Sequence, residues 1–128
     1  MKNKSRYFLA ELLGSCFLVM IIVGSGLMAE NLTNDIAVML IANTIATGAG
    51  LFVLITVFAD VSGAHFNPFV SIAMTITGKL KKKLLPFYII AQLVGCLIGV
   101  GLANSFLNMK FMNYLLSQEM EFTYSHLR

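Results

Sequence analysis

The residue types in this chain that interact with small molecules at close range gather in one stretch, Ser62-Gly63-Ala64-His65-Phe66-Asn67-Pro68-Phe69-Val70. Asn67 is a good helix N-cap, because its side-chain oxygen accepts from the orphan amides of a first turn. Pro68 then stands at the first helical position, where its missing N–H costs nothing. The pattern predicts an irregular segment that becomes a helix at Pro68, runs to about Thr77 and stops at Gly78. Ten residues rise about 15 Å, roughly half the hydrocarbon thickness of a bilayer. A half-helix of this kind points its free amides and positive dipole end at the membrane centre. Gly63 and Ala64 leave the preceding backbone uncovered. The carbonyls of Gly63, Ala64 and His65 then form a line of acceptors, and the Asn67 amide is a donor for a passing water or hydroxyl. The positive helix end repels cations and protons. Such equipment conducts small neutral molecules. The same residues have a plainer reading, a plug in a helix bundle with His65 satisfied internally.

Two further side chains bear on this stretch. Glu11 lies near the start of an apolar run, where a carboxylate is costly and either paired or functional. It sits at headgroup level, or it faces inward and accepts from irregular backbone that lipid leaves unpaired. Gln92 is the lone strongly polar side chain of a later run before Asn104. No pair of residues reads as nucleophile and base, so no enzyme is expected, and no metal site or cofactor. Cys16 and Cys96 lie inside apolar runs and read as small apolar packers.

The elements that must position these groups are membrane spans. The chain has 128 residues, 58% hydrophobic and 12% charged, and a soluble domain carries about twice that charge fraction. The apolar residues fall in long blocks, the mark of an integral membrane protein. The net charge of +3 sits at span ends and does not point to nucleic acid. Spans are expected over about 8–29, 36–59 and 84–107, with the re-entrant loop and half-helix over about 62–77. Residues 1–107 form one module and 108–128 a tail, in which Phe111, Met112 and Leu115 offer a short apolar face to the interface and His126 is exposed. The run after Met1–Tyr7 is too long for the core of a secretory signal. Gly14, Ser15, Gly24 and Ser25, then Ala42, Ala46 and Gly50, then Gly95 and Gly99, are small residues suited to close helix packing. Asn43, Thr44, Thr47 and Thr56 supply polar groups within the second span, most of them to bond neighbouring backbone. Asp60 ends that span as a solvated mouth residue.

Charge sets the orientation. Lys2, Lys4 and Arg6 precede the first span, and Lys79, Lys81, Lys82 and Lys83 precede the third, whereas Glu30–Asp35 carries acids and no base. The positive-inside rule puts both basic groups in the cytoplasm, in a cell (inner or plasma) membrane, with two spans between them. The C-terminus is then outside. The lysine cluster reads first as a topological anchor, with phosphate or lipid binding as its other reading.

Ser62-Gly63-Ala64-His65-Phe66-Asn67-Pro68 resembles the signature of the aquaporin and aquaglyceroporin (major intrinsic protein) family, as do Ala10-Glu11 and Ile90-Ala91-Gln92-Leu93-Val94-Gly95. The resemblance covers about residues 7–107. It implies a pore for water or small neutral solutes, built from two inverted repeats and usually assembled as tetramers. It implies that Asn67 donates to the permeant, that Gly63, Ala64 and His65 offer carbonyls, and that Glu11, with Gln92, supports the loop. Three departures stand out. Phe69 takes the place of the alanine in the family's Asn-Pro-Ala and adds a ring where two half-helices meet. Thr47, twenty residues before Asn67, replaces an aromatic of the outer constriction and favours solutes larger than water, such as polyols or neutral metalloid hydroxides. Only the first repeat is present, and one repeat cannot enclose a pore.

The expectation is therefore an all-α membrane protein of three spanning helices and one re-entrant half-helix. It is the N-terminal half of a channel, completed by a second half or by further copies. The alternative is a truncated, non-conducting product or an assembly subunit, in which exposed Asn67, Glu11 and Gln92 are poorly satisfied.

Overall fold

The computed structural model describes the backbone of residues 2–126 and the side chains of residues 4–107. Four α-helices and one 3₁₀ turn make up the described chain: α1 Lys2–Leu32, α2 Ile36–Ser62, α3 Pro68–Ile76, the turn Lys82–Leu84 and α4 Leu85–His126. No strand occurs among the described residues. Three helical stretches there are long and apolar enough to cross a membrane: Lys4–Leu32, Ile36–Ser62 and Lys82–Leu107. The protein is an all-α integral membrane protein.

Helix ends follow local chemistry. Asp35 caps α2, its carboxylate accepting from the amides of Ala37 at 2.8 Å and Val38 at 3.4 Å. At the far end Gly63, at φ +92°, turns the chain out of α2 while its N–H still donates to the Ala59 carbonyl. Only a residue without a Cβ takes that backbone without penalty. Asn67 caps α3 by accepting from the Phe69 amide at 2.8 Å. α4 continues without a break beyond residue 107 to His126. At 42 residues its length is about 63 Å, twice a hydrocarbon core. The apolar face read into Phe111, Met112 and Leu115, and the exposure of His126, concern side chains outside those described.

α1 is the middle helix, packing on α2 along one side and α4 along the other. Glycines set the closeness of both contacts. A Cβ at Gly95 would collide with the Leu12 carbonyl oxygen, and one at Gly99 with that of Cys16, so α4 lies against the bare backbone of α1. Gly50 admits the Ile21 side chain between α2 and α1. Asn43 bridges the same pair, its amide donating to the Ile22 carbonyl at 2.9 Å. Gly24 departs from the expectation of close packing: nothing lies within 4 Å of a Cβ placed there. Ser25 turns its hydroxyl onto its own helix, donating to Ile21 O at 2.7 Å. The outer faces are apolar and exposed, including Leu40, Phe52, Ile76 and Leu97, as lipid-facing surfaces are.

Candidate functional site

The irregular segment Gly63–Asn67 joins α2 to α3 and has an unusual backbone. Ala64 and Phe66, neither a glycine, take φ of 51° and 50°. Left-handed backbone costs an L-residue about 1–2 kcal/mol, so something must over-determine the conformation. That agent is Glu11. Its carboxylate is fully buried and accepts four hydrogen bonds. One oxygen takes the Ser62 hydroxyl at 2.6 Å and the His65 amide at 3.1 Å. The other takes the Phe66 amide at 2.8 Å and the Gln92 side-chain amide at 2.7 Å. Each charge-assisted bond is roughly twice as strong as a neutral one. One side chain on α1 thus holds the end of α2, two loop amides and α4 together.

The rest of the clasp comes from α3 and α4. Tyr88 donates its hydroxyl to the Ser62 carbonyl at 2.6 Å, and the Ser62 hydroxyl oxygen accepts from the Ala64 amide at 3.2 Å. Ser71, fully buried on α3, meets the Gln92 amide nitrogen at 2.9 Å and the His65 Nδ1 at 3.1 Å. A carboxylate at Glu11 calls for the NH₂ side of Gln92 to face it, and the second N–H of that group then goes to the Ser71 oxygen. That oxygen donates to His65 Nδ1 in one imidazole tautomer and accepts from it in the other. Phe66 is buried beneath the loop, edge-on to Phe58 at 5.9 Å between centroids. Its ring occupies the space where a side chain at Gly14 would stand.

Glu11 and Gln92 are each 0% exposed, which corrects the expectation that a lone half leaves them open. Side chains and loop amides of this chain satisfy them, apart from Gln92 Oε1, which with Ser15 Oγ has no partner among the described residues. Asn67 alone of the three is exposed. Its oxygen is taken by the α3 cap, which leaves its NH₂ group outward as a donor. Among the described residues no hydrogen bond ends on the carbonyls of Gly63, Ala64 or His65.

His65 and Gly63 also line a cavity of about 450 Å³ with Tyr7, Asp60, Ser62 and Tyr88, whose rim carries Lys79 and Lys81. The exposed Asp60 sits at this mouth. Phe69 is 79% exposed, so its ring turns away from this half. Thr47 is not drawn into the group. It precedes Ser62 by about 22 Å of helical rise, and its hydroxyl donates to Asn43 Oδ1 at 3.4 Å. No group of three or more metal-ligating side chains occurs among the described residues.

The sequence reading did not single out Ser62, Ser71, Tyr88 and Phe66 for any role. One signal was available for Tyr88: it lies four residues before Gln92 and so shares its helix face. For Ser71 and Phe66 no local pattern exists, because their partners come from other helices.

The family model described as Major intrinsic protein matches residues 1–127. An aquaglyceroporin AqpS of Rhizobium meliloti (strain 1021) is 49% identical over 100 residues, which are 78% of this chain and 43% of that protein. An aquaporin NIP1-2 of Arabidopsis thaliana is 40% identical over 73% of this chain and 31% of its own length. A mouse aquaporin-8 is 41% identical over 75% of this chain and 35% of its own. The chain thus spans less than half the length of the curated relatives it matches.

Proposed function

Because this chain belongs to the major intrinsic protein family, we propose that it is the N-terminal half-module of a channel that passes water or small neutral solutes without covalent chemistry. The observation that carries the reading is the loop clasped by Glu11. Clasping leaves three backbone acceptors without donors among the described residues, and the exposed Asn67 as a donor, at the break between α2 and α3, the kind of broken-helix element that membrane transport sites use. The cavity of about 450 Å³ is the approach from the basic end, with the His65 ring on its wall. Asn67, with the carbonyls of Gly63, Ala64 and His65, orients the permeant, while Glu11 and Gln92 keep the loop in shape. Thr47 widens the constriction on the far side, which favours glycerol-like solutes or neutral metalloid hydroxides over water alone. The name aquaglyceroporin borne by one relative supports a solute of that size.

The open face of α3 carries Phe69, Ile72 and Ile76, all exposed. A complementary half packs there, with Phe69 at the join, and the complete channel assembles further in the membrane, as a tetramer on the family pattern. Both basic segments flank one end of the bundle, since Lys4 and Lys81–Lys83 line a common cavity. The positive-inside rule assigns that end to the cytoplasm and the C-terminus to the outside of the cell membrane.

Stopped-flow light scattering on proteoliposomes tests the reading, under sucrose and then glycerol gradients. The chain alone is expected to add no permeability. The chain with a second half is expected to add flux that Asn67→Leu lowers at least about tenfold, on the scale of losing a hydrogen bond in a site without water. Flux untouched by Asn67→Leu would remove Asn67 from the path.

A further inference from the structure

The fold brings together four lysines from segments far apart in sequence. Lys4, on the first turn of α1, faces Lys81, Lys82 and Lys83 of the turn before α4 across a cavity of about 600 Å³ that Tyr7 and Leu84 complete. Among the described residues no acidic side chain lines it. The nearby acid, Asp60, lines the neighbouring cavity with Lys79 and Lys81. The Lys4 ammonium lies 5.4 Å above the centroid of the Phe87 ring, a cation–π contact that holds it over α4. An anchor that needs only charge places its lysines anywhere on the membrane surface. These four converge.

We infer that this cavity binds the phosphate-bearing headgroup of an anionic phospholipid. The ammonium groups and the Tyr7 hydroxyl are donors suited to a phosphodiester. Leu84 lines the cavity, the Phe87 ring lies under the Lys4 ammonium, and α1 and α4 beyond carry exposed apolar side chains such as Leu9 and Ile90, an apolar wall. A headgroup held by the lysines lays its acyl chains along that wall. Free phosphate uses the lysines alone and gains nothing from the wall, so the lipid is the occupant. A juxtamembrane lysine is worth about fivefold in affinity for an anionic surface.

The test is native mass spectrometry of the full chain released from nanodiscs of phosphatidylcholine and phosphatidylglycerol in equal amounts. Preferential retention of phosphatidylglycerol is expected, reduced roughly 100-fold in Lys81→Gln/Lys82→Gln/Lys83→Gln by the per-lysine factor and kept when the same three become arginine. Lys4→Gln alone is expected to lower it about fivefold, which serves if the triple variant loses its helicity. Equal retention of the two lipids would overturn the inference, as would retention unchanged by the glutamine variants or lost with the arginines. Displacement of the lipid by millimolar inorganic phosphate would assign the cavity to a free anion instead.

Discussion

At the scale of single residues, Glu11 is the side chain on which the loop depends. It satisfies four donors from three parts of the chain. Leaving a buried donor without its acceptor costs about 1–3 kcal/mol, and Glu11 serves four donors. Glu11→Ala is therefore expected to release Gly63–Asn67. Amide hydrogen exchange read by mass spectrometry checks this: the His65 and Phe66 amides should exchange at least about 100-fold faster, on the scale of two such losses, while the middle of α4 stays protected. Unchanged exchange would mean that the loop holds itself. Phe69→Ala bears on the open face. With a second half present, it is expected to raise solute flux measurably without altering helicity, because removing the ring widens the place where the half-helices meet. A fall in flux, or none gained, would mean that the ring does not narrow the path.

Much at this scale was legible beforehand. Asn67 and Pro68 announce the start of α3 because capping is a local matter of three or four residues. Glu11 announces itself through its cost in lipid. The Ser71–His65 contact and the burial of Phe66 against Gly14 were not legible. They arise from helices crossing at particular heights, which no local pattern records. The sequence reading also left Glu11 and Gln92 exposed in a lone half. The other reading of Glu11, an inward carboxylate accepting from irregular backbone, is the one the structure has, with Ser62 and Gln92 as its further partners.

At the scale of elements, two contacts of α1 hold the frame. Spacing alone marked Gly95 and Gly99 as a packing pair, and the backbone of α1 at Leu12 and Cys16 is what they meet. The same kind of reading failed for Gly24 because small residues permit contact without requiring it. Gly99→Leu is expected to push α4 off α1, carrying Gln92 and Tyr88 away from the loop. Overpacking of a tight contact costs about 1–3 kcal/mol. The midpoint of thermal unfolding in detergent, followed by circular dichroism, should fall by several degrees on that account, and His65 amide protection should fall with it. Gly101→Leu, with nothing within 4 Å of its Cβ, is the matched control and should leave both unchanged.

At the scale of the whole molecule, most of the polar core is satisfied from within the described residues, Ser15 Oγ and Gln92 Oε1 apart, while α3 and Asn67 face outward. On this distribution conduction, rather than folding, is expected to need a second half.

The clasp at Glu11 also sets an order of events during synthesis. Its partners lie 51 to 81 residues further along the chain. At about 5–20 residues per second, the last of them leaves the ribosome some 4–16 s after Glu11 does. For that interval the first helix carries an acid without the partners it has in the fold, so the loop takes its shape only once the third helix has been made.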